Sequence, residues 1–249
     1  MRGAWLCAMA LGLLLLAANA ATLAAPVEAP PAFSARYDVR KAGLTLGHAE
    51  LRFRRPAQDR YLYRLSVQPN RLAGLFYSSS VREMSIGHIQ ADGFRPDVYR
   101  YTRSGGDDDR RAELRFDWEA MRVVNDVADR PWRMAITPDT IDRVISPLQL
   151  MHDLAGRDDG DDTLVYRIAD GGQLKTYELR IGDTTQVDTP AGRFEALTVH
   201  RSDPDSDRVT TLWVAPALRY LAVQVEQREA GDRNFRMVLS RLDGLDRRR

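Results

Sequence analysis

The chain has 249 residues, with 36 Lys plus Arg against 35 Asp plus Glu and a single cysteine. A balance this close to neutral gives no support to a nucleic-acid partner. Cys7 lies in the N-terminal leader, so a processed chain has neither disulfides nor thiolate metal ligands, and its stability must come from packing.

Arg2 precedes an apolar run from Ala4 to Ala18 that is short for a membrane span. It reads as a secretory signal peptide over residues 1–20, with the small-x-small pattern Ala18-Asn19-Ala20 placing cleavage before Ala21. Cys7 sits inside the apolar run and not at its end, which argues against a lipoprotein. The expected product is a periplasmic chain of about 225 residues with no transmembrane segment. Residues 21–32 are expected to form a flexible Pro/Ala-rich arm, 33–245 a single β domain and 246–249 a basic tail.

From Phe33 onward the apolar period is two. Phe33 to Arg40 is the first predicted strand. In Leu44 to Arg54, Ala49, Leu51 and Phe53 alternate with Glu50, Arg52 and Arg54, and in Tyr61 to Val67, Tyr61, Tyr63, Leu65 and Val67 share a face. Pro69 to Phe76 breaks the pattern and suggests a helical turn or a plug. Ser78 to Gln90, Asp97 to Arg103 and Arg111 to Trp118 continue it, with turns at Ala91-Asp92-Gly93 and Gly105 to Asp109, and Met121 to Val124 and Trp132 to Ile136 are short strands. One helix is predicted from Ser146-Pro147, with serine as cap and proline in the first turn, to Gly156. The stretch Thr176 to Arg201 reads as three strands, with turns at Gly182-Asp183 and Pro190-Ala191-Gly192. Val209 to Val214, Tyr220 to Gln227 and Phe235 to Leu242 complete about fourteen strands. The fold class is therefore all-β and mainly antiparallel. It is a large curved meander sheet, since accumulated twist forbids a flat one, forming a barrel or half-barrel with one short helix packed on it or capping it.

The segments YSSSVREMSIGHIQADGFRPDVYRY, DTIDRVISPLQLMHDLAG, YRIADGGQLKTYELRIGDTTQVDTPAGRFEALTVHR and TLWVAPALRYLAVQVE, in this order, resemble the exported bacterial proteins called domain of unknown function 3108. The resemblance covers most of the chain beyond the leader. It implies a periplasmic or envelope-associated β protein, and it brings neither an activity nor catalytic residues. In outline the architecture is similar to the curved half-barrels of lipoprotein carriers, which is analogy of fold alone.

His48, His88, His152 and His200 fall on four separate elements without metal-pair spacing. The carboxylates of Gly105 to Asp109 and Arg157 to Asp162 lack the spacing of a calcium loop. No nucleophile elbow, zinc-protease pair, phosphate loop or dinucleotide fingerprint occurs. No metal or cofactor is therefore expected, and Ser78-Ser79-Ser80 reads as a polar strand start. Tyr61, Tyr63, Phe116, Trp118, Trp132 and Trp213 are expected on the concave face, either as core filling or as the lining of a ligand cavity. Two functional readings lead: a binding module for a hydrophobic small molecule or lipid, and an envelope protein with a packed interior that docks a protein partner by strand addition. An enzyme is the third reading, and it would need polar groups converging in a cleft.

Overall fold

The computed structural model describes residues 28–70, 79–105, 109–125, 131–157, 160, 162–170, 172–202, 207–228 and 234–246. The leader, most of the Pro69 to Phe76 segment, the Gly105 to Asp109 tip except its ends, and the basic tail's arginines lie outside them. Of the Pro-rich arm only residues 28–32 are described, and Ala29 is buried against the core.

The strands are β1 (Phe33–Lys41), β2 (Leu44–Ala57), β3 (Arg60–Pro69), β4 (Ser80–Gln90), β5 (Gly93–Ser104), β6 (Arg110–Asp117), β7 (Arg122–Asn125) and β8 (Trp132–Ala135). After β9 (Thr140–Asp142) comes the helix α1 (Ser146–Gly156). The chain continues through β10 (Thr163–Asp170), β11 (Gln173–Thr189), β12 (Gly192–Ser202), β13 (Val209–Ala215), β14 (Leu221–Arg228) and β15 (Phe235–Asp243). All fifteen belong to one sheet, ordered β8 back to β1, then β15 back to β9. Two meanders thus meet where β1 pairs antiparallel with β15, the first strand beside the last. The sheet curls without closing: β9 comes against β5 and β8 against β11, so its two ends overlap.

The segment Thr176 to Arg201 contains two strands and not three. Gly182-Asp183 is a bulge inside the long β11: Ile181 pairs with Val199 and Thr184 with Leu197, leaving two residues opposite Thr198 alone. Thr198 Oγ1 donates to the Asp183 carbonyl at 2.9 Å, and a Cβ on residue 182 would lie 2.6 Å from that hydroxyl. Glycine is there to let the strands approach, not to reverse the chain. The turns at Ala42-Gly43 (φ 48° and 79°) and at Gly192 (φ 132°) are true hairpins.

β9 has no alternating pattern in sequence and pairs parallel with β10, the single parallel pair of the sheet among the described residues. The crossover between them is α1, which runs through the interior and touches β5 on one side and β14 on the other. Its bounds are the expected ones, but Ser146 is not its cap. The Ser146 hydroxyl donates back to the Arg143 carbonyl at 2.9 Å, and the Asp142 carboxylate accepts from the Ile145 amide at 2.9 Å in the turn before the helix. Leu148, Gln149, Leu150, Met151 and Leu154 are buried. Gln149 locks the helix to the β4–β5 turn, accepting from the Phe94 amide at 2.9 Å and donating to the Asp92 carbonyl at 3.0 Å. At Gly93 the φ of 122° and the Gln149 amide within 2.6 Å of any Cβ both demand glycine.

Candidate functional site

The concave face changes character along its strands. On β1 the inward residues run Phe33, Ala35, Tyr37, Val39; on β2 Phe53, Leu51, Ala49, Gly47; on β3 Tyr61, Tyr63, Leu65, Val67. Antiparallel register puts Phe33 opposite Phe53 and Phe53 opposite Tyr63, while Val39 faces Gly47 and Ala49 faces Val67. On these three strands Phe33, Phe53, Tyr61 and Tyr63 therefore gather at one end, Tyr37 faces Ala49 between the ends, and Val39, Gly47 and Val67 lie at the other.

The ring end is packed solid. Phe53 lies 5.8 Å from Phe33, 6.3 Å from Tyr63 and 6.0 Å from Phe94, and Tyr61 meets Phe94 edge to face at 5.4 Å. Contacts of this kind add about 0.5–1.5 kcal/mol each beyond the area they bury. The Tyr37 hydroxyl donates to the Ala222 carbonyl at 2.8 Å, crossing from β1 to β14.

The other end holds a cavity of about 620 Å³. One wall comes from Val39, Leu65 and Val67, the opposite one from Leu212, Val225 and Met237, and the start of α1, through Pro147 and Leu150, forms its inner limit. The volume falls in the range of small-molecule sites, and the mainly aliphatic lining suits an apolar occupant. Arg40, Lys41, Arg143 and Arg201 also line it, and no Asp or Glu does among the described residues.

Arg143 connects the cavity to a buried polar cluster behind α1. Its guanidinium donates to Glu83 Oε1 at 2.9 Å and lies over the Tyr101 ring at 5.3 Å. Tyr99 donates to Glu83 Oε2 at 2.7 Å. Burial, and then the carboxylate beside it, push the Tyr99 phenol well above its ordinary range, though Arg143 works against this. Next to this group Tyr61 and Ser85 share a hydrogen bond of 2.9 Å, and Ser85 donates to Asp142 Oδ2 at 2.5 Å. Asp142 is fully buried, which pushes its carboxyl up to about 7; the Ser85 and Ile145 hydrogen bonds restrain the rise and nearby Glu83 adds to it. Through its hydrogen bonds to Tyr61 and Asp142, Ser85 ties β3, β4 and β9 together.

None of the six expected aromatics lines the cavity. Tyr61 and Tyr63 belong to the packed end, where they are core. Phe116 stacks on Trp118 at 5.6 Å, and Trp118 donates to the Pro96 carbonyl at 2.8 Å while Arg95 covers its ring at 4.4 Å. Trp132, on the edge strand β8, lies against Gly172 before β11. Trp213 is half-buried and follows Leu212, so it points to the other face of β13. The histidines remain apart: His48 by Asp38, His88 between Asp59 and Asp97, His152 by Asp153 and His200 by Thr211. Among the described residues no three potential metal ligands come together.

The cavity-lining aliphatics escape sequence reading because each is an ordinary strand residue. The available signal was the size gradient, visible only once adjacent strands are aligned.

Three solved structures are similar to this chain. A β-barrel-like protein of domain of unknown function DUF1849 from Brucella abortus has TM-score 0.54 and 12% identity, covering 87% of this chain and 99% of its own. A candidate lipoprotein from Parabacteroides distasonis has TM-score 0.31 and 12% identity, covering 86% and 96%. A candidate exported protein with a YmcC-like fold from Bacteroides fragilis has TM-score 0.29 and 13% identity, covering 88% and 100%. The first shares the fold; at their scores the other two add nothing to it. No match to this chain was found among curated proteins. The model of the family described as protein of unknown function DUF3108 matches residues 35–239, and the chain belongs to that family.

Proposed function

We propose that this chain is an exported binding module that takes up a hydrophobic, lipid-like molecule in the unfilled end of its curled sheet. The observation that carries the reading is the cavity of about 620 Å³ in a protein whose other end is packed with interlocking rings. Evenly filled interiors are the norm in domains held by packing alone, and aliphatic walls left without neighbours forfeit packing contacts. The apolar leader supports export, with the periplasm as destination and without a lipid anchor, since Cys7 stands inside the apolar run.

Strand addition has less support at the two terminal strands, which are short. β8 has four residues and β9 three, too little ladder for a partner strand.

Native mass spectrometry of protein purified from an exporting host, with organic extraction of the same sample, tests the reading. A bound species of constant mass, recovered in the organic phase, is expected. Protein that is repeatedly empty, and that takes up no apolar probe, would overturn it.

A further inference from the structure

Resting on that reading, we infer that the ligand is an anionic amphiphile: an apolar chain in the cavity with a carboxylate or phosphate head held at its cationic lining. Four cations and no carboxylate line the cavity among the described residues, although the protein as a whole is balanced, with 36 basic and 35 acidic residues. Asp38 and Glu83, which pair with two of these cations, stand outside the lining: Asp38 accepts from Arg40 at 3.0 Å, and Glu83 from Arg143 at 2.9 Å.

The cationic character continues past the cavity. A second space of about 350 Å³ shares Arg40, Lys41, Asn234 and Phe235 with the first, and adds Arg228 and Arg236. The acid there, Glu226, is held by both of these arginines, with Arg236 donating to it at 2.7 Å. An apolar chain in the first space would thus have basic groups at hand on the side of Arg40 and Lys41.

Arg201 is fixed on the wall. Its guanidinium lies 4.8 Å from the Tyr177 ring centre and donates to Thr210 Oγ1 at 3.4 Å. A guanidinium set on aliphatic walls is suited to a planar carboxylate or a phosphate. A neutral head would gain less from these groups, and a cationic head would be repelled.

The test uses the full exported chain, a neutral apolar fluorophore as reporter, and four competitors kept below their micelle thresholds: hexadecanoate, hexadecyl phosphate, hexadecanol and hexadecyltrimethylammonium. Both acids should displace the reporter at concentrations about 10- to 100-fold lower than the alcohol, as for charge-assisted hydrogen bonds, and the ammonium should compete worst. Whichever acid wins separates a fatty-acid head from a phosphate head. The preference should shrink with added salt. In the double variant Lys41→Gln/Arg201→Gln it should fall at least several-fold while the reporter still binds. If the double variant fails to fold, the salt dependence of the parent protein decides the point. Equal displacement by all four heads, or a preference for the ammonium, would overturn the anionic assignment and leave the apolar cavity standing. Failure of the reporter to bind at all would overturn the binding reading itself.

Discussion

The two ends of the concave face are built from the same strands and behave oppositely. On β1, β2 and β3 the inward positions start as Phe33, Phe53, Tyr61 and Tyr63 and finish as Val39, Gly47 and Val67. At one end the rings interlock; at the other about 620 Å³ is left between aliphatic walls. If the cavity is the binding site proposed above, stability and function are separated along one sheet: the interlocking rings lie at one end and the proposed site at the other.

That separation fails if the ends respond alike to truncation. Phe53→Ala, in the middle of the ring cluster, should cost about 3–5 kcal/mol, read as a lowered urea midpoint. Leu212→Ala, which enlarges a space already present, should cost markedly less in the same experiment, because fewer neighbours lose contact.

The polar cluster between the ends gives the next effect. The folded protein holds the Asp142 carboxyl proton up to about pH 7, whereas an unfolded chain releases it near 3.8. Stability from this group is therefore complete below about pH 4, declines as pH rises through 7 and is flat above. The rise corresponds to roughly 4 kcal/mol at most, at about 1.4 kcal/mol per tenfold change in proton affinity. Glu226 acts in the opposite sense at lower pH: burial alone would raise its pKa, but the Arg228 and Arg236 hydrogen bonds outweigh this and lower it. Urea titrations from pH 4.5 to 8 should show stability falling with pH in the parent protein, and a flatter profile in Asp142→Asn. An identical slope in the variant would mean that another group carries it.

Arg143→Met should cost about 1–3 kcal/mol, because the Glu83 carboxylate, 8% exposed, would lose its guanidinium while keeping the Tyr99 hydroxyl. Glu83→Gln in the same background should restore part of that loss, which a purely steric role for Arg143 would not produce. The smallest expected effect on stability is that of Val225→Phe. Growing into vacant space, it should shift the urea midpoint by less than about 1 kcal/mol while obstructing uptake of an apolar probe.

Much of the fold is legible in the sequence because period-two alternation is a local property. β2, β3 and β6 are apparent from Ala49-Leu51-Phe53, Tyr61-Tyr63 and Leu114-Phe116, and α1 from Ser146-Pro147 to Gly156. Gly182-Asp183 misleads because a bulge and a turn both call for small or polar residues, and only the cross-strand partner tells them apart. β9 is hidden, since Thr140-Ile141-Asp142 is too short to alternate and its partner β10 lies beyond the helix. The candidate site is less legible. Alternation puts Tyr61 and Tyr63 on the concave face, but which end of the sheet they reach depends on register, and Trp213 falls on the other face of β13. Ser85 and Asp142, 57 residues apart, meet only through the curl.

The central claim is that the aliphatic end of the sheet is a binding cavity. Its most direct test is titration of a neutral apolar fluorophore into the parent protein, Val225→Phe and Phe53→Leu, each first shown to be folded by its urea midpoint. One probe per chain should bind the parent and Phe53→Leu, with affinity lost by at least about tenfold in Val225→Phe. Equal binding by all three, or none by the parent, would contradict it.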